Sequence, residues 1–460
     1  MTTVVQRLLT MLLAVTSACL VLLPGVPGEA QQTQSPAPTQ AAQTENTFVR
    51  SPDNVESPTR DHLLDLAFPE LAKKKAELPA FFRDTDLNLH FRSFYLNRQR
   101  ANDTFNEAWA LGGWLEYKSG WLADIFSIGA TYYTSLPAYA PDSRPGSQLL
   151  TPGQDAIGTF GEAWAAFRYK EYALLRGGRQ KVDDGYVNPQ DSRMVPNTFE
   201  ALTLSGKLAD WFRYDVGYLW TIKPRDSNDF ISMSRQAGVP GDGDGMILSA
   251  FAFTPIQDLL LYAANYFVVN TYNTVFTKGE YKFPLTKDLS LETGLQFTDQ
   301  RNVGDARLGD FNTWNVGAGA RLRWKGLQFG AATHFTGDGA NIRSDYGSWP
   351  GYLSLQVTDF DRANEKAFGF GLTYNFDGTL LPFQIPGFSI HMLYAQGTDR
   401  INPTTGGSLP TTREGDLDIV YNVPAVKGLS FRFRNAYVGD GGPVVQKDFR
   451  IIVNYELDLL

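Results

Sequence analysis

Large apolar side chains alternate with small or polar ones along most of this chain, and residues 368–376 show the pattern most clearly. There Phe368 and Phe370 alternate with Gly369 and Gly371. Because a strand sends successive side chains to opposite faces, one face of this segment is apolar and the other looks too small and polar for a packed core. A strand of about nine to eleven residues with one face in hydrocarbon and the other in water is typical of a transmembrane β-barrel.

The same alternation recurs in other segments along the chain. They are residues 87–95, 126–132, 289–297, 316–324, 327–335, 416–421, 429–437 and 450–457. Connections range from the tight turn at Lys325-Gly326 to a long loop rich in Gly, Asp and Ser over residues 336–365. Short turns on one edge and long loops on the other indicate an all-β, antiparallel outer-membrane barrel. At roughly 20 residues per strand and connection, the chain predicts about 16 to 20 strands, enough to enclose an aqueous channel.

The chain before the barrel has a different character. Residues 1–30 are predicted to be a signal peptide, because Arg7 precedes a 16-residue apolar run and a small-residue cleavage region; a membrane anchor is the alternative. Residues 31–60 are rich in Gln, Thr, Pro and Ser, which predicts a disordered linker. Residues 61–80 are predicted to form a short helical pre-barrel segment of open role, and residues 81–460 to form the barrel.

Composition and charge narrow the possible chemistry. The net charge of −8 gives no support to a nucleic-acid partner. The only cysteine, Cys19, lies in the predicted signal peptide, so disulfides and thiol chemistry are not expected in the mature chain. The 4 histidines lack metal-ligand spacing and no hydrolase motif is present, so we predict no metal, no cofactor and no enzyme. Residues 241–245 resemble a calcium loop; a solvated loop is favoured, and ion binding stays open.

Arginines with inward parity carry the candidate chemistry. They are Arg92, Arg321, Arg323, Arg432, Arg434 and Arg450. Closing the barrel would make its first and last strands neighbours, so four of the six would fall on nearby strands. Guanidiniums stacked along one wall of the water-filled lumen would offer a carboxylate successive bidentate partners, and lumenal acids would hold a solute amine. The alternative is that these arginines pair with lumenal acids such as Asp416 and Asp418, or hold lipid phosphates at the rim.

Residues 183–200 form a long polar segment with two prolines. The segment cannot lie in lipid, because its backbone polar groups would be unpaired there. Folded into the lumen, it would place Asp191 and Arg193 at a constriction. An external loop is the alternative.

Several segments resemble the OprD family of substrate-specific outer-membrane porins. They are residues 81–85, 95–98, 107–115, 117–121, 178–180, 188–200, 222–225 and 270–274. The resemblance implies an 18-stranded barrel, a basic ladder, and an inward-folded constriction loop whose motif includes Asn188, Asp191, Arg193 and the preceding Arg179. It also implies passage of small carboxylate-bearing solutes such as amino acids, peptides or aromatic acids. Two departures are the long N-terminal extension and a terminus, Leu459-Leu460, without an aromatic residue.

These observations predict a passive, selective porin in the outer membrane of a Gram-negative bacterium. Its expected partners are carboxylate solutes, membrane lipid and lipopolysaccharide, and its expected state is a monomer or weak trimer. An outer-membrane lipase is the alternative, but it needs a Ser–His pair at the rim, whereas His334 and His391 have lumenal parity. A soluble adhesin is a third possibility, disfavoured by the apolar strand faces. The solute, the oligomeric state and the role of the extension stay open.

Overall fold

The computed structural model describes residues 69–241 and 243–460, so the predicted signal peptide, the predicted linker and residues 61–68 of the predicted helical segment lie outside the described residues. The described chain forms a closed antiparallel barrel of 18 strands, in which each strand pairs with the next and the last pairs with the first. The barrel strands are β1 Asp86–Gln99, β2 Phe105–Lys118, β3 Phe126–Tyr139, β4 Ile157–Tyr169, β5 Ala173–Gln180, β6 Thr198–Ala209, β7 Phe212–Lys223, β9 Met246–Phe253, β10 Leu259–Val268, β11 Tyr272–Pro284, β12 Leu289–Asn302, β13 Asn312–Trp324, β14 Leu327–Thr336, β15 Lys366–Asp377, β16 Gln384–Thr398, β17 Thr412–Asn422, β18 Leu429–Gly439 and β19 Gln446–Asp458.

Little else in the described chain is regular. A two-residue strand, β8 (Ile231–Ser232), pairs with the C-terminal end of β7 and is not one of the 18 barrel strands. The helices are α1 (Pro69–Ala76) and α2 (Ala80–Arg83) before the barrel, and α3 (Met233–Gln236) between β8 and β9. None of the described helices is long and apolar enough to cross a membrane.

The strand faces follow the alternation predicted from the sequence. Phe370 and Phe431 are 47% and 44% exposed on the outside of the barrel, whereas Arg432 is only 8% exposed. Gly371, next to Phe370, is likewise buried. The apolar side chains therefore face the bilayer and their neighbours face the lumen, as a transmembrane barrel requires.

The connections sort the barrel ends into two edges. On the edge that carries both chain ends of the barrel, the turns between consecutive strands have two to seven residues. The opposite edge carries the five longest connections, which are residues 140–156, 181–197, 224–245, 337–365 and 399–411. This asymmetry places the long loops on the extracellular side, according to the pattern of outer-membrane barrels.

Long connections fold into the lumen, and two of them build the site described below; we call residues 181–197 the inner loop and residues 337–365 the long loop. Leu149 and Leu150 of the 140–156 connection are also buried, against the inward Phe94 and Leu96. In the long loop, the Pro350 carbonyl accepts a hydrogen bond from Gln296 of β12, and Gln356 donates to Asp448 of β19. Because these two strands lie well apart around the barrel, the segment between the two contacts crosses the lumen. The sequence predicted inward folding only for residues 183–200, so the inner loop confirms that prediction and the long loop extends it.

The inward-folded loops and the barrel wall form a packed apolar core on the extracellular side of the lumen. This core was not predicted from the sequence. Inward side chains of β6, β7 and β10, among them Phe199, Leu219 and Tyr266, pack with Val187 of the inner loop and Trp349 of the long loop. The inner face was predicted to be too small and polar for a core only at residues 368–376; on β6, β7 and β10 it is apolar and packed. Burial of apolar surface between wall and loops stabilises the inward loop positions.

A charge on the lipid face should destabilise the barrel far more than the same charge in the lumen. Phe370→Arg, in the middle of β15, is expected to lower the free energy of unfolding by about 2–4 kcal/mol, because the guanidinium enters hydrocarbon. Asn375→Arg, on the lumenal face of the same strand, should change it by about 1 kcal/mol or less. Urea unfolding in lipid bilayers measures both values, and equal losses would contradict the assigned faces.

Candidate functional site

Arginines from adjacent strands form one wall of the lumen. Arg432 and Arg434 lie on β18, Arg450 on β19 and Arg92 on β1. Arg434 stands opposite Arg450 in the β18–β19 register, and the β1–β19 pairing closes the barrel beside them. The structure thus brings together the four arginines that were predicted to become neighbours on barrel closure.

Asp418 of β17 lies between the first two of these arginines. Arg432 Nε donates to both carboxylate oxygens of Asp418, at 2.9 and 3.1 Å, and Arg434 Nε lies 3.2 Å from Oδ2. Asp418 and Arg434 are both almost fully buried. This Arg–Asp–Arg group keeps one net positive charge, so the pairing with a lumenal acid considered from the sequence lowers the basic character of the wall without abolishing it.

A second group of the same composition lies on the neighbouring strands. Arg450 Nε donates to Asp448 Oδ1 at 2.6 Å, and Arg98 Nε of β1 donates to the other oxygen of Asp448. Arg450 is 1% exposed and Asp448 is fully buried. Sequence reasoning missed Arg98 and Asp448, although Asp448 shares the inward parity of Arg450 two residues later.

The inner loop docks on Arg92. Arg92 Nη1 lies 2.6 Å from Asp191 Oδ1 and 2.6 Å from the Arg193 carbonyl oxygen, and Nε donates to Asn454 at 2.8 Å. The guanidinium also lies 5.0 Å from the ring centre of Trp114. Arg92 therefore serves as the anchor of the inner loop as well as a member of the basic wall.

Two further guanidiniums beside the inner loop have no carboxylate within salt-bridge distance in the described chain. Arg193 donates to the carbonyl oxygens of Ser147 and Ser192, at 3.1 and 2.8 Å. Burial, together with neighbouring arginines, lowers the pKa of Arg193 well below its usual value. Burial likewise lowers the pKa of Arg225 to about 10. Arg225 was quoted in the family-like segments but not predicted as a site residue.

Asn188 joins the inner loop to the long loop. Its Nδ2 donates to the Ser348 carbonyl at 2.9 Å, and its Oδ1 accepts from the Ser348 N–H at 2.8 Å. The Asn188 N–H donates to the Tyr346 carbonyl at 3.2 Å. A second contact follows nearby, where Trp349 Nε1 donates to the Tyr186 hydroxyl at 3.1 Å. The inner loop and the long loop are therefore joined into one hydrogen-bonded unit.

The predicted acid Asp416 has a different partner from Asp418. Asp416 Oδ2 accepts the backbone N–H of Gln356 at 3.1 Å, and the neighbouring inward acid Glu414 accepts the N–H groups of Val357 and Thr358 at 2.8 and 2.7 Å. These acids hold the tip of the long loop rather than the arginines of the wall.

Three predicted site residues lie away from the basic wall. Arg321 and Arg323 are inward on β13, which four strands separate from β18, and both contact Glu292, at 3.4 and 3.1 Å. Arg179 lies in β5 rather than in the inner loop, and its Nε donates to Glu200 at 3.0 Å. The Arg179–Glu200 pair lines a pocket of about 350 Å³ beside the outward, exposed Trp220, so Arg179 is on the outer face.

The calcium-like segment offers no ion cage in the part that the structure describes. Asp244 contacts Arg307 at 3.0 Å and Asn270 at 3.4 Å. Across residues 69–241 and 243–460, no group of three or more His, Cys, Asp or Glu side chains is arranged to hold a metal ion.

Comparison with known proteins agrees with this architecture. Residues 79–459 match the model of the family described as outer membrane porin, OprD family. The chain belongs to the OprD family. The curated relative Porin D of Pseudomonas aeruginosa is 24% identical over 425 residues, which cover 84% of this chain and 94% of that protein.

Solved structures of other porins share the fold. A BenF-like porin from Pseudomonas fluorescens superposes with a TM-score of 0.74 at 21% identity, over 82% of this chain and 100% of that one. OpdK of Pseudomonas aeruginosa, solved with vanillate, gives a TM-score of 0.74 at 20% identity and the same coverage. This OprD-family chain is therefore an outer-membrane channel of a Gram-negative bacterium. The lipase alternative loses its support, because the relatives of this chain are porins rather than enzymes.

Proposed function

We propose that this porin passes small carboxylate-bearing solutes by passive diffusion along the basic wall. The observation that carries the proposal is the pair of Arg–Asp–Arg groups built around Asp418 and Asp448. Each group keeps one positive charge, so each attracts one carboxylate when it is accessible from the lumen. The resident aspartate competes for the same guanidinium hydrogen bonds, which makes solute binding shallow and release fast, as conduction requires.

Two further observations support an anionic solute. Arg193 and Arg225 add positive charge next to the inner loop, with no carboxylate of residues 69–241 and 243–460 in salt-bridge contact. The related OpdK was solved with vanillate, which is an aromatic carboxylate.

The proposal is tested by neutralising one whole group. Removing only Arg432 and Arg434 would leave Asp418 as a buried, unpaired charge, so the variant is Arg432→Gln/Arg434→Gln/Asp418→Asn. It lowers the net charge by one, as does the control Arg413→Gln on the exposed outer face of β17. Loss of one charged hydrogen-bonding partner is expected to lower acetate permeability relative to potassium by about tenfold.

The measurement is the reversal potential of single channels in planar bilayers under a potassium acetate gradient. The control should keep the wild-type preference, because its charge lies outside the lumen. If the triple variant and the control behaved alike, the basic wall would not be the solute path.

A further inference from the structure

The tip of the long loop covers the Arg450–Asp448 contact. The backbone carbonyl of Gln356 accepts a hydrogen bond from Arg450 Nη2 at 3.0 Å, and the side-chain Nε2 of Gln356 donates to Asp448 Oδ1 at 2.7 Å. Gln356 thus presents an acceptor to the arginine and an N–H donor to the aspartate. Because Arg450 and Asp448 are almost fully buried, no solute reaches them while the tip stays in place.

A solute with a carboxylate and an amine would present the same two groups as Gln356. We propose that Gln356 is a built-in pseudo-ligand that closes the Arg450–Asp448 site, and that solutes carrying both a carboxylate and an N–H donor open it by displacement. This inference rests on the proposed function, because it names the solute class that competes at one part of the same wall.

Gln356 is an incomplete ligand, which makes its displacement feasible. Its amide oxygen Oε1 is buried and has no hydrogen-bond partner in the described part of the chain. The acceptor that it offers Arg450 is a neutral carbonyl, whereas a solute carboxylate forms a charge-assisted and stronger hydrogen bond. An ammonium group likewise exceeds a primary amide as a donor to Asp448. Exchange of Gln356 for a zwitterionic solute therefore replaces weak contacts with stronger ones.

The surroundings of Gln356 define how much of the loop moves. The N–H groups of residues 356–358 donate to the carboxylates of Asp416 and Glu414, so the tip is held through backbone contacts. Leu353 and Leu355 before the tip and Phe360 after it belong to a buried apolar cluster with Leu393 of β16. The apolar flanks fix the ends of the segment, and the tip between them is the part that yields.

The test compares uptake of free L-alanine and of propionate, which has a similar size but no amine. The full-length porin is reconstituted in liposomes as wild type and as Gln356→Ala, with Val357→Ala as the matched control. Val357 lies in the same tip and contributes its backbone N–H, which alanine keeps. Barrel folding is checked for each by its heat-modifiable electrophoretic mobility.

We expect wild type to take up L-alanine faster than propionate. Gln356→Ala removes the donor to Asp448, so propionate flux should rise by about tenfold and the preference for L-alanine should shrink. Val357→Ala should keep the wild-type ratio. If Gln356→Ala left both fluxes and the ion conductance unchanged, the pseudo-ligand would be disproved.

A second variant and a second readout separate this inference from the proposed function. Glu414→Gln keeps the side-chain shape but weakens the acceptor for two tip N–H groups, so it should also raise propionate flux. Carboxylate uptake that is equal in wild type, Gln356→Ala and Glu414→Gln would overturn the pseudo-ligand and leave the proposed function standing. A rise in ion conductance in Gln356→Ala without uptake of either solute would support the closing role of Gln356 and overturn the proposed function.

Discussion

Replacing Asp448 by alanine is expected to lower the free energy of unfolding by about 3–5 kcal/mol, because a buried ion network loses its only shared anion. Asp448 is fully buried and contacts both Arg98 and Arg450. Its removal leaves two guanidiniums facing each other across β1 and β19, away from bulk water. The like charges then repel in a region where solvent screens them weakly. Urea unfolding in bilayers, followed by tryptophan fluorescence, measures the loss.

The control for this prediction is Asp440→Ala, in the exposed connection between β18 and β19. It removes the same charge close by in the sequence, where the carboxylate accepts the exposed Gly442 N–H, so a change of about 0.5 kcal/mol or less is expected. Similar losses in the two variants would mean that Asp448 does not stabilise the arginines. The triple variant Arg98→Gln/Asp448→Asn/Arg450→Gln should recover part of the stability, because it leaves no isolated buried charge.

The strand faces were predictable because each barrel strand meets two different solvents. Phe370 and Phe431 face hydrocarbon while Gly371 and Arg432 face the lumen, so apolar and polar or small residues alternate along each strand. The inward direction of Arg432, Arg434 and Arg450 followed from the same parity. Barrel closure then fixed which of these arginines would lie together.

The pairing of the arginines was less predictable, because parity states only which face a side chain shares. Asp416 and Asp418 have the same parity on β17, yet Asp418 binds arginines and Asp416 binds the long loop. The difference depends on where the tip of that loop descends. The alternation of apolar and polar residues indicates which face of a strand a side chain shares, but it does not indicate where a loop lies in the lumen.

The folding of the long connections into the lumen could be predicted from the sequence only in part. Apolar side chains of the long loop, including Tyr346, Trp349 and Leu353, are buried in the structure and interrupt its otherwise polar sequence. These apolar residues were the available signal of an inward fold, since an exposed loop has no need of them.

The orientation of Arg179 was predicted wrongly from its sequence context. Its motif neighbours lead into the inner loop, but the register of β5 with β6 turns Arg179 to the outer face, beside Glu200.

Asn188→Ala is expected to loosen both lumenal loops and make the channel current noisier. The substitution removes the two side-chain hydrogen bonds to Ser348, at 2.9 and 2.8 Å, which together stabilise docking by about 2 kcal/mol. A loss of that size raises the undocked fraction about 30-fold. Single-channel recordings should therefore show frequent excursions to higher conductance. Gln190→Ala is the control, because it truncates a side chain of the same loop that makes no hydrogen bond to Ser348. Indistinguishable current noise in the two variants would contradict the view that Asn188 holds the constriction closed.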